Sequence, residues 1–137
     1  MGQTRRMERQ HISSGAAFEE RVGYSRAVRV GDRVWVSGTA PIMPGDADPP
    51  RSAYQQAQVC LSIIERALAE AGASLDDVVR TRIYVTDITR WHEVADAHRA
   101  AFGDVRPAAT MVEVTALIDP LLLVEVEAVA YKPGVGS

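Results

Sequence analysis

A single cysteine among 137 residues removes two kinds of scaffold at once. Cys60 has no partner for an internal disulfide, and one thiol cannot build a multi-thiolate zinc site within one chain. Histidine is almost as scarce, with only His11, His92 and His98. The last two lie six residues apart on one predicted helix, about 120° around its axis, so they do not share a face as the histidines of an HExxH site do. No metal and no other cofactor is expected. No apolar run approaches the roughly 20 residues that cross a bilayer, since even "LIDPLLLVEVEAVAY" is broken by Asp119, Pro120, Glu125 and Glu127. Basic residues are outnumbered, 15 against 18 acidic, for a formal net charge of −3. With no basic stripe interleaved with aromatics, a nuclease or RNA-binding role is argued against. The basic start, Arg5, Arg6 and Arg9, is followed by no apolar segment of signal length, so residues 1–10 are expected to be a flexible extension and the location cytoplasmic. A phosphate-cradling loop is missing too: Gly31 ends a hairpin strand, and Gly38 follows a strand without opening a helix.

What is present is a globular composition, 47% hydrophobic and 24% charged, in a chain of ordinary length for one domain, taken as residues 1–137. "AVRVGDRVWVSG" contains two short β-rich runs, Ala27–Val30 and Arg33–Ser37, joined by Gly31-Asp32, a pair suited to a tight hairpin. After the proline-rich loop "PIMPGDADPP", Tyr54, Ala57, Leu61, Ile64, Leu68 and Ala71 recur at steps of three and four, which predicts an amphipathic helix. Gly72 is placed to end it, and Ser74 with Asp77 to cap a brief turn that follows. "VVRTRIYVTDI" is β-branched enough for a third strand. Trp91, Val94, Ala95, His98, Ala101 and Phe102 trace a second helix stopped by Gly103 and Pro107. Two further strands are predicted over about 110–116 and 122–131.

This order places two helices on one face of a mixed sheet, an α/β (α+β) fold. The other face then needs cover that one chain does not supply, and an oligomer with packed sheets supplies it. Along the final strand, Val124, Val126 and Ala128 alternate with Glu125 and Glu127, so the glutamates point to that second face. Carboxylates there need partners or a function.

The segments "GYSRAVRVGDRVWVSGTAPI", "VVRTRIYVTDITRW" and "RPAATMVEV…LVEVEAVA" together resemble the Rid/YjgF family of enamine and imine deaminases, over about residues 23–131. The resemblance implies a chorismate-mutase-like fold and a homotrimer with a substrate pocket at each subunit cleft. Tyr24, Ser37 and Glu125 fall on the family's tyrosine, serine and closing glutamate. Its signature arginine, however, falls on Ala109, the cysteine that follows on Met111, and the asparagine of the second helix on Ala95. In the archetype, as the resemblance implies, the arginine clamps a substrate carboxylate while the glutamate positions the attacking water.

Losing a bidentate clamp should cost about 3–6 kcal/mol, or roughly 10²–10⁴ in efficiency. Arg82 and Arg106 are the candidates to replace it. Ala109 and Met111 make the inherited pocket less cationic and more apolar, which favours a small-molecule ligand that is neutral or carries its anion elsewhere. With no arginine beside it, Glu125 should titrate high through desolvation. The expected function is a divergent Rid-type enzyme acting on an imine, enamine or related carbonyl compound through Glu125, weak on standard 2-imino acids. The rival is a non-catalytic trimer that binds a small ligand as a sensor.

Overall fold

A computed structural model describes residues 8–133. In chain order the elements are β1 (Arg9–Ile12), α1 (Ala17–Val22), β2 (Ala27–Val30), β3 (Arg33–Thr39), α2 (Ala53–Glu70), β4 (Val78–Val85), α3 (Trp91–Phe102), β5 (Ala108–Glu113) and β6 (Val124–Tyr131). The strands make one sheet in the order β1-β2-β3-β6-β4-β5. Its pairings are antiparallel except β4 with β5, which is parallel.

Helix α2 buries Ala57, Cys60, Leu61, Ile64, Ala67 and Leu68, the three-and-four spacing of one face. Ser52 caps its start by accepting the Gln55 N–H at 3.0 Å. Its end is a Schellman arrangement: Gly72 takes φ +82, its N–H reaches the Ala69 carbonyl at 3.0 Å, and the Ala73 N–H reaches Leu68 at 2.8 Å. The Ser74–Asp77 capping box is formed on the short 3₁₀ turn that follows. Helices α2 and α3 lie side by side, with α2 against β3 and β6. The His98 ring on α3 meets the Thr81 hydroxyl of β4 at 2.9 Å. On β6 the buried residues are Val124, Val126, Ala128 and Ala130, so Glu125, Glu127, Val129 and Tyr131 take the opposite face. That face is open in the single chain, and Trp35, Val112 and Tyr131 are exposed.

Gln56 ties two loops to this core. It is 1% exposed, its Nε2 donates to the carbonyls of Pro50 at 2.8 Å and Leu121 at 2.9 Å, and its Oε1 accepts the Leu123 N–H at 2.7 Å. The start of β6, two residues before Glu125, is thereby anchored to α2.

Three expectations are corrected. The N-terminal extension gives way to structure from Arg9, where β1 pairs with β2; residues 1–7 lie outside those described. Helix α1 was not foreseen because it buries a charge, not an apolar stripe: the Glu19 carboxylate accepts from the Ser13 hydroxyl and from both the N–H and hydroxyl of Ser14. Helix α3 itself ends at Phe102 with Gly103 at its C-cap, as predicted, and the turn after it carries Arg106 at φ +52 just before Pro107. Strand β5 accordingly begins at Ala108, two residues earlier than expected.

Candidate functional site

The site grows from an irregularity in the central pairing. Val36 pairs with Ala128 and Thr39 with Val126, so Ser37 and Gly38 together oppose Glu127, a β-bulge on β3. The extra residue restores an inward direction to Thr39, which is fully buried. Gly38 lies outside the left-handed region, so its glycine is not required by backbone angle. Its bareness makes room instead for Glu125, whose carboxylate sits where a Cβ on Gly38 would project.

Glu125 is half-buried, and its carboxylate accepts no hydrogen bond from the described residues. Burial pushes its carboxyl above the ordinary carboxylate range, the Arg26 guanidinium pulls it back, and neighbouring Glu127 adds to the rise. The direction agrees with expectation, but the assumption that no cation stands nearby is corrected by Arg26. This arginine is 7% exposed, donates from Nη2 to the Gly38 carbonyl at 2.9 Å, and holds its guanidinium 5.5 Å from the centre of the Tyr24 ring, within cation–π range. Tyr24 itself is exposed at the edge of this group. Ser37 donates its hydroxyl to the Ser25 carbonyl at 2.6 Å, so its proton is committed to the backbone and its oxygen is left as an acceptor. Tyr24, Arg26, Ser37, Gly38 and Glu125 thus gather around one bulge.

Tyr84 stands opposite Glu125 on β4, its phenol raised by burial and by Glu127. Arg82 pairs with Glu127 at 3.3 Å on the same open face. Arg106 is exposed. Ala109 pairs with Thr81 and Met111 with Ile83, residues on the helix side, so both point away from Glu125's face within one chain. The thiol of Cys60 is buried and pushed up by desolvation, with its Sγ 3.9 Å from the Val124 carbonyl, as a core residue's would be. A cavity of about 770 Å³ lies on the helix side, where Arg26 lines it and Glu125 does not.

The family model described as Endoribonuclease L-PSP matches residues 14–132. The chain belongs to this family. A crystal structure of a Mycobacterium tuberculosis member of the YjgF/YER057c/UK114 family superposes with a TM-score of 0.84 at 55% identity, covering 90% of this chain and 99% of that one. A RutC family protein of Pyrococcus abyssi is 36% identical over 110 residues, 80% of this chain and 86% of its own. A putative reactive intermediate deaminase of Escherichia coli is 25% identical over 112 residues, with the same two coverages. The mixed sheet and its helices are those of the YjgF fold.

Two residues of this candidate site in the YjgF-family chain escaped sequence reasoning. Gly38 carried a signal, a glycine inside a β-rich run, which often marks a bulge or a close approach. Arg26 carried almost none, because one charged residue at the mouth of a strand is ordinary.

Proposed function

We propose that the chain is a Rid-type enzyme acting on an imine, enamine or related carbonyl compound, with Glu125 as its acid–base group. The observation that carries this reading is a half-buried carboxylate that no hydrogen bond from the described residues holds and that burial keeps above its usual range. Such a group can take a proton from water as the water oxygen adds to the carbon of a C=NH group and pass it to nitrogen, giving a carbinolamine, then carry the hydroxyl proton to the same nitrogen as the C–N bond breaks and the C=O bond forms. The products are a carbonyl compound and ammonia. The printed name of the Escherichia coli relative supports the same chemistry. Tyr24 and the Ser37 oxygen orient the substrate. Ala109 and Met111 belong to the pocket through a neighbouring subunit, in a cytoplasmic homotrimer that covers Trp35, Val112 and Tyr131. No helix among the described residues is long and apolar enough to cross a membrane.

A non-catalytic ligand-binding trimer is the second reading, favoured by the absence of any ionisable group at Ala109 and Met111. One experiment separates the two: ammonia release from freshly generated imines and enamines, parent against Glu125→Gln, with light scattering to establish about three times the 14.9 kDa chain mass in both. Turnover in the parent that falls about 10²–10⁴-fold in the variant supports the enzyme. Equal rates in the two remove Glu125 from the chemistry, and a stable monomer removes the shared cleft.

A further inference from the structure

The cavity of about 770 Å³ lies between α2, the loop after β3 and the segment that leads into α1. Its size suits a small organic ligand. Ile42, Met43, Val59 and Ile63 give it an apolar lining, and Arg26 and Arg66 give it positive charge. Among the described residues neither arginine belongs to an ion pair. For Arg66, which is exposed, that is unremarked surface chemistry. For Arg26 it is not, because the side chain is more than nine-tenths buried and its Nε has no hydrogen-bond partner. A buried guanidinium costs free energy unless it is paired. One N–H of Nη2 is used on the Gly38 carbonyl and Nε is shut off from solvent, so Nη1, which makes no hydrogen bond among the described residues, is the donor left for an anionic acceptor.

We propose that this cavity binds a small amphipathic carboxylate, its anion held by Arg26 with Arg66 nearby and its aliphatic part against Ile42, Met43 and Val59. Glu125 does not line this cavity, although Arg26 is shared with its surroundings, and the proposal stands whether or not Glu125 is catalytic. Where the Rid-type reading holds as well, the two meet through Gly38, whose carbonyl accepts from Arg26 while Glu125 packs over its α-carbon.

The probe is hexanoate, with hexanamide as its neutral counterpart and inorganic phosphate as a third arm, each titrated calorimetrically into the full-length protein. Hexanoate should bind more tightly than either comparator. Arg26→Gln should weaken hexanoate about ten- to a hundredfold, the loss of charge-assisted hydrogen bonds, and leave hexanamide unchanged. Arg26→Lys should recover part of the affinity. Val59→Trp, which fills the cavity and keeps Arg26, should block hexanoate if the first variant does not fold. Glu125→Gln, which removes a carboxylate that Arg26 feels, should bind hexanoate at least as tightly as the parent, and a parent that binds hexanoate but turns over no imine or enamine would count against the proposed function alone. Hexanamide binding as tightly as hexanoate, phosphate binding more tightly, affinity unchanged in both Arg26→Gln and Val59→Trp, or no hexanoate binding to the parent would each overturn the proposal.

Discussion

The Glu125 carboxylate fills the volume that a side chain on Gly38 would need. Adding one methyl group there pushes against the free end of a flexible side chain, not against backbone, so Gly38→Ala should fold and displace the carboxylate. A misplacement near 1 Å at a reacting group costs about 10²-fold in rate. Imine turnover should fall by about that factor, with the melting transition retained. Undiminished turnover would place the chemistry elsewhere.

At position 109 the methyl group lies on the exposed edge strand β5, where an arginine meets no steric obstacle. Ala109→Arg should increase ammonia release from 2-iminopropionate, by less than the roughly 10²–10⁴ calculated for a full clamp, because Ala95 and Met111 still differ from the family pattern. The comparison is made at equal trimer content. Archetype-level activity in the parent would point to a substitute cation, with Arg26 first to be tested.

His98 gives a pH dependence to stability. Burial lowers its pKa below that of a free imidazole, so the unfolded chain takes up the proton more readily than the folded one. Its contribution is present above the unfolded value, about 6.5, and is lost as pH falls through the lower folded value. Melting temperature should therefore fall on acidification below about pH 6.5, and His98→Gln should flatten that part of the curve. An unaltered curve in the variant would assign the slope to another group.

Removing Gln56 leaves the Leu123 N–H and the Pro50 and Leu121 carbonyls without their bonds. At about 1–3 kcal/mol for each buried group left unsatisfied, with some recovered by water, Gln56→Ala should destabilise by about 2–5 kcal/mol in urea unfolding. A shift below 1 kcal/mol, on the same scale, would mean that water replaces the side chain fully.

The legible parts of the fold are those that repeat locally. Helix α2 declares itself through a single apolar face, and β6 through strict alternation. Strand β1 has one buried residue in four, which leaves no period to detect, and α1 is organised around Glu19. In the site, Glu125 was visible because a carboxylate on a half-buried strand demands an explanation. The bulge at Ser37 and Gly38 exists only in the pairing with β6, and the direction of Ala109 depends on its register with Thr81. Partners distant in sequence determine both, and so hid Arg26's proximity to Glu125.

Strand β6 follows every other strand in the chain, yet it lies between β3 and β4. During synthesis, β1–β3 and β4–β5 therefore emerge as two separate ribbons, each with an unpaired edge awaiting the same insert. Pairing Arg33 with Tyr131 closes a loop that spans most of the chain, and such distant closure slows folding while exposed edges invite association. Glu125 arrives on the strand that joins the halves, so a nascent chain cannot possess this site before it possesses the whole sheet.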